Sequence, residues 1–124
     1  MGDSGRDRRR TLGDAGEAFA AAWYSDAGYS VLDRNWRCRE GELDLVVARP
    51  DVVVFCEVKT RRGSAYGAPF EAVTWAKQRR IRGLAARWLA EHPGNAAATV
   101  RFDVASVQAV RGRRPMIDVI EAAF

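Results

Sequence analysis

At 124 residues, with 48% hydrophobic and 29% charged side chains, the chain suits one domain with a modest core and is too apolar for disorder. Twenty Lys and Arg against sixteen Asp and Glu leave a formal charge of +4, an excess that permits a polyanionic partner without requiring one. No apolar stretch is long enough to span a bilayer, and the two cysteines, Cys38 and Cys56, lack metal-type spacing and read as unpaired thiols of a reducing cytoplasm. The single histidine, His92 in "AEHPG", reads as a helix-end residue and leaves little from which to build a His-based zinc site or a Ser-His triad.

In chain order, residues 1–11 are rich in Gly, Asp, Ser and Arg and read as a flexible basic N-terminus ahead of a domain spanning residues 12–124. The stretch is not a signal peptide, because Asp14 and Glu17 interrupt the apolar run that follows it, and Arg6 replaces the Ser or Thr of a myristoylation motif. A helix is predicted over residues 14–27, with Ala15, Phe19, Ala22 and Trp23 as its apolar stripe and a glycine stop in "AGY". "YSVLDRNW" reads as a strand. Gly41 precedes a second strand, "ELDLVVA", and Pro50-Asp51 turns the chain into a third, "VVVFCEVKT", as a hairpin. The glycine-containing loop "RRGSAYGAP" leads to a long helix predicted over residues 70–91, with Val73, Ile81, Leu84, Ala85 and Trp88 on one stripe and "HPGN" at its end. "ATVRFDVASVQAV" alternates as a strand, "RGRRP" is a basic turn, and "MIDVIEAAF" is either a last strand or a short helix. The order α-β-β-β-α-β-β predicts an α/β domain whose mixed sheet is flanked by helices.

The apolar second and third strands contain charges that a sheet core disfavours: Asp44, Glu57 and Lys59. Glu57 and Lys59 project to one side of their strand, ~6.6 Å apart, together with Phe55; Val54, Cys56 and Val58 face the other way. A hairpin partner brings Asp44 across from them. Converging carboxylates repel unless a cation intervenes. Mg²⁺ or Mn²⁺, held by Asp44, Glu57 and the backbone carbonyl of Val58, resolves that conflict and suits hydrolysis at a phosphoryl group. Lys59 then offsets negative charge or orients the attacking water, rather than serving as a simple base. An isolated E-x-K is more often a solvated cross-strand ion pair. The apolar strand and the upstream Asp make the metal reading competitive.

"GELDLV", "FCEVKTR", "AVTWAKQRRI" and "RFDV", in that order, resemble the YraN family of small bacterial proteins. That family is similar to archaeal Holliday-junction resolvases and to the restriction-endonuclease-like PD-(D/E)xK nucleases. The resemblance covers residues 13–110. It implies a restriction-endonuclease-like mixed sheet with helices on both sides, and metal-dependent cleavage of structured or branched DNA. It assigns Asp44 and Glu57 as metal carboxylates, Lys59 as the catalytic lysine, and Glu17 as the acidic residue that some resolvase-like nucleases carry on the first helix. Leu43 stands where the nuclease signature has proline. A resolvase cutting two strands symmetrically implies a homodimer.

Other residues divide between roles. Glu17 lies opposite the Phe19/Trp23 stripe, yet Ala20, Ala21 and Tyr24 share its face, so that side is expected to be covered too. Glu42 is expected in a structural salt bridge, and Asp103 in a pair with Arg101. Lys77, on the Val73/Ile81 line, is either a snorkelling stem or a cation near the scissile phosphate. Arg61, Arg62 and Arg80 are candidates for gripping phosphates without reading sequence. Trp36 is expected as a half-buried strand residue rather than a base-stacking one. Two alternatives to an endonuclease stay open: a nucleic-acid-binding module of the same fold without cleavage, and a protein-interaction domain.

Overall fold

Three runs of β-branched and aromatic residues pair into a meander because their connections are too short for anything else. They are β1 (Ser30–Cys38), β2 (Gly41–Arg49) and β3 (Val52–Arg62). The structure, a computed structural model, describes residues 4–62, 73–95 and 98–124. Before the meander lies helix α1 (Ser4–Asp26); after it come α2 (Trp75–Glu91), a 3-10 turn at Pro93–Asn95, β4 (Thr99–Ala109) and β5 (Met116–Ile120). The strands form one mixed sheet in the order β1-β2-β3-β4-β5, in which only β3 and β4 run parallel. A parallel neighbour requires a crossover, and α2 supplies it.

The alternation of β3 separates two cores. Val53 and Phe55 pack with Ile81, Leu84, Ala85 and Trp88 of α2. Val54 and Cys56 pack on the opposite face with Ala20, Ala21 and Tyr24 of α1. The domain is thus an α/β sandwich of the restriction-endonuclease-like arrangement, with one helix on each side of the sheet. The stripe predicted for α2 is the buried one. Cys38 and Cys56 are free thiols, as expected, and burial pushes the Cys56 thiol up to about 12.

Three sequence readings change and one open reading is resolved. α1 begins at Ser4, so the backbone of the arginines at 8, 9 and 10 belongs to the helix. Its buried face is Gly16, Glu17, Ala20, Ala21 and Tyr24, the side expected to be covered as well, whereas the Ala15/Phe19/Ala22/Trp23 stripe is exposed or half-buried. Small residues won because α1 lies close on the sheet. A Cβ at Gly16 would stand 2.0 Å from the Thr60 Oγ1 of β3. α2 starts at Trp75 rather than residue 70, because Thr74 caps it by accepting the Lys77 N–H at 3.2 Å. Finally, "MIDVI" is a strand, since Ile117 and Val119 alternate inward against the α1-side core. The loop following Arg62 lies outside the described residues.

Candidate active site

The β2–β3 ladder runs from Arg49↔Val52 to Leu45↔Cys56 and stops there, one step before Asp44 and Glu57. At that point the Asp44 side chain replaces the ladder: its Oδ2 accepts the Val58 N–H at 2.9 Å. In an extended chain the N–H and C=O of one residue point to the same edge. The Val58 carbonyl therefore lies on the edge where β2 has parted from β3, beside Asp44. Glu57 shares the α2-facing parity of Phe55, and its carboxylate is largely buried, with 14% of the side chain exposed. The Lys77 ammonium, held in the first turn of α2 by the Thr74 cap, lies 2.6 Å from Glu57 Oε1.

The third carboxylate arrives from the other face. The close approach at Gly16 seats α1 on β3 beside Lys59, and Glu17, the next residue, is 9% exposed. Its Oε2 has no hydrogen-bond partner. Burial raises the Glu17 pKa, while the neighbouring Asn35 side chain and the Arg34 charge oppose that shift. Asp44 is pushed to about 7, first by burial and then by the charge of Glu57, with Glu17 and Glu42 adding to the rise and the Val58 N–H working against it. Asp44, Glu57 and Glu17 thus share one electrostatic neighbourhood that ionised carboxylates alone make unfavourable.

The donors suit a hard divalent cation. Among the described residues, no three His, Cys, Asp or Glu side chains are close enough to ligate an ion by themselves. Mg²⁺ does not require that: one or two carboxylates with a carbonyl and waters meet its usual demand. An ion at Asp44 would relieve the repulsion around it.

The remaining sequence candidates fall in distinct places. Lys59 is half-buried on β3 opposite Ser106 of β4, and Lys59 and Arg61 each interact with a neighbour within the fold. Arg62 and Arg80 are exposed. Arg80 runs its stem alongside Gly41, with Cδ 3.7 Å from where a Cβ would lie. Lys77 is drawn to Glu57. Glu42 pairs with Arg37 at 3.1 Å and Asp103 pairs with Arg101, both as expected, and Trp36 is half-buried against the α2-side core. Two features escaped sequence reasoning, the Thr74 cap and the left-handed backbone of Asn35. Thr74, a Ser/Thr-type cap three residues ahead of Lys77, carried a usable signal; Asn35, inside an apparent strand, carried none.

Residues 16–107 match the Uncharacterised protein family UPF0102. The chain belongs to that family. A UPF0102 protein of Nocardia farcinica is 50% identical over 116 residues, covering 94% of this chain and 91% of that one. A UPF0102 protein of Frankia casuarinae is 54% identical over 113 residues, covering 91% and 95% of the two chains. One from Frankia alni is 57% identical over 96 residues, covering 77% and 79%. The resemblance to the YraN family is borne out, since UPF0102 is that family. The match contains all three acidic residues of the site, Glu17, Asp44 and Glu57, together with Lys59. Among the described residues, no helix is long and apolar enough to cross a membrane.

Proposed function

We propose that this UPF0102 protein is a Mg²⁺- or Mn²⁺-dependent endonuclease acting on structured or branched DNA. The observation that carries the reading is the pair Asp44 and Glu57 where the β2–β3 ladder ends: Asp44 accepts the Val58 N–H at 2.9 Å and is pushed to about 7 largely by burial and by the charge of Glu57. Asp44, Glu57 and the Val58 carbonyl would hold the ion, with Glu17 adding charge from α1. A bound divalent ion supplies Lewis-acid stabilisation of a phosphoryl oxygen and lowers the pKa of a coordinated water. Lys59, on the same strand face as Glu57, offsets the negative charge that develops on the phosphate. Arg61, Arg62 and Arg80 contribute sequence-neutral phosphate contacts, so binding is expected to weaken steeply with salt. Symmetric double cutting would require a two-fold dimer. The test is a cleavage screen over flaps, four-way junctions, single strands and duplex with Mg²⁺ or Mn²⁺. Cleavage by the purified wild type that Glu57→Ala abolishes supports the proposal, and cleavage that persists in Glu57→Ala assigns it to a contaminant.

One observation favours a second reading, a nucleic-acid-binding module without cleavage. Lys77 already supplies a cation to Glu57 at 2.6 Å. In that case titration calorimetry detects DNA binding but no Mg²⁺ or Mn²⁺ uptake that depends on Asp44.

A further inference from the structure

Four tryptophans stand in this chain, and the fold uses three of them. Trp88 is wholly buried against the sheet, with its indole N–H donated to Asp33 at 3.0 Å. Trp23 sets its ring edge-on to Tyr24, and Trp36 packs on the α2-side core. Trp75 is 72% exposed, more than any other large hydrophobic among the described residues. Among those residues no aromatic ring stacks on it and no guanidinium lies over it. Helix α2 does not demand it either, since Thr74 provides the cap and alanine is the better helix former. A solitary exposed aromatic is ordinary; its surroundings set this one apart.

The first is the candidate site. β3 and β4 run parallel, so the crossover helix α2 runs back along the sheet and begins over the end of β3 that carries Glu57. The contact of Lys77 with Glu57 at 2.6 Å fixes that placement. Trp75 stands two residues before Lys77, ~3 Å along the helix axis. The second is charge. From Trp75 to Arg82 the helix carries Lys77, Arg79, Arg80 and Arg82 and no acid. Arg79 is exposed and, at i+4, is the neighbour of Trp75 on the helix surface. Arg82 is instead held over the Phe102 ring. An accessible indole beside an exposed cation suits single-stranded nucleic acid, whose bases stack on aromatic rings while its backbone follows positive charge. In a duplex each base is covered by its neighbours, so such a platform takes an unpaired base.

We propose that Trp75 and Arg79 form a docking site for unpaired nucleotides: the indole stacks on one base and the guanidinium holds the adjoining phosphate. The inference rests on the nucleic-acid reading above and narrows its substrate class to strands with unpaired bases beside Glu57, such as flaps and single strands.

The experiment is fluorescence anisotropy with labelled oligothymidylate and with a blunt duplex of equal length, at low salt in EDTA so that nothing is cut. Trp75→Ala should lose about tenfold in affinity for the single strand and less than about twofold for the duplex, and Trp75→Tyr should keep most of the wild-type affinity. Its exposure means that Trp75→Ala should melt at the wild-type Tm, which separates the loss from misfolding. Arg79→Ala should flatten the slope of log affinity against log salt by about 0.7, one phosphate contact to a single strand. Unchanged single-strand affinity in Trp75→Ala overturns the proposal and leaves the nucleic-acid reading standing. An equal loss on duplex also overturns it, because the ring would then touch something other than an unpaired base. A wild-type dimer that Trp75→Ala splits, with DNA affinity unchanged, overturns it too and gives the surface to a second copy of the chain. No binding of either probe by the wild type overturns both the proposal and the nucleic-acid reading. A Trp75 effect in a chain that cuts nothing in Mg²⁺ supports the proposal and removes the endonuclease reading alone.

Discussion

Asp103 and Asp44 are carboxylates on strands of one sheet, and the fold treats them in opposite ways. Asp103 is fully buried and fully engaged. Arg101 donates to it twice, from Nε to Oδ1 at 2.8 Å and from a terminal nitrogen to Oδ2 at 2.9 Å. The Tyr24 hydroxyl donates to Oδ2 at 2.6 Å, and the Ala122 N–H to Oδ1 at 3.0 Å. Asp44 receives one backbone N–H and otherwise faces the charges of Glu57 and Glu17. A buried anion wrapped in donors is a structural element. One left among like charges stores repulsion, which is why the proposed site is placed there.

The largest effect should come from breaking the satisfied cluster. Asp103→Ala removes the partner of Arg101 and leaves the buried Tyr24 hydroxyl without its acceptor. Losing one side of a buried ion pair typically costs about 3–5 kcal/mol, and this site also anchors the C-terminal residues through Ala122. Urea denaturation should show a loss of that order at every pH from 6 to 8. A loss below about 1 kcal/mol would mean that the network adds little beyond packing.

Asp44 should respond in the opposite direction. Its folded-state pKa, about 7, lies above the unfolded value near 3.9, so the folded chain holds this proton more tightly. Where the native state binds more protons, stability falls as pH rises. The contribution is therefore fully present below about pH 4 and is lost as pH climbs through about 7. Asp44→Asn keeps an oxygen for the Val58 N–H and removes the charge. In EDTA it is expected to be about 2 kcal/mol more stable than the wild type at pH 8, with the gap closing toward pH 4. Millimolar Mg²⁺ should narrow that gap by stabilising only the wild type. A variant no more stable than wild type at pH 8 would remove the stored repulsion from the argument.

The contrast between the two acids also shows what could be read from sequence. Period-2 alternation in "VVVFCEVKT" correctly put Glu57 with Phe55 and against Cys56, because a strand buried on both faces fixes its parity. Four of the five apolar residues read at helical spacing, Ile81, Leu84, Ala85 and Trp88, are the buried stripe of α2, and the fifth, Val73, is buried just ahead of it. The Arg101–Asp103 pair was visible at i, i+2, but not its full burial, since Tyr24 and Ala122 come from distant parts of the chain. Of the two α1 faces expected to be covered, hydrophobicity gave first place to Phe19 and Trp23, whereas close approach to Thr60 favours Gly16 and the alanines. The backbone of Asn35 was invisible for a related reason: a single left-handed residue within a strand follows no period.

Lys77 tests the comparison at its smallest scale. Its bond to Glu57 is short, yet 42% of the Lys77 side chain is exposed, so solvent screens the pair and the ammonium can leave without unfolding anything. The Arg101–Asp103 pair has no such freedom, since its acid is wholly enclosed. Lys77→Met keeps the stem over the core and removes the charge. Its cost in EDTA should be under about 1 kcal/mol by urea denaturation, far below that of Asp103→Ala. If the ammonium competes with a metal for Glu57, the same variant should bind Mn²⁺ more tightly than wild type, which calorimetry at low salt would detect. Weaker Mn²⁺ binding would instead make Lys77 an organiser of Glu57: a fixed partner like Arg101, placed at the site rather than in the frame.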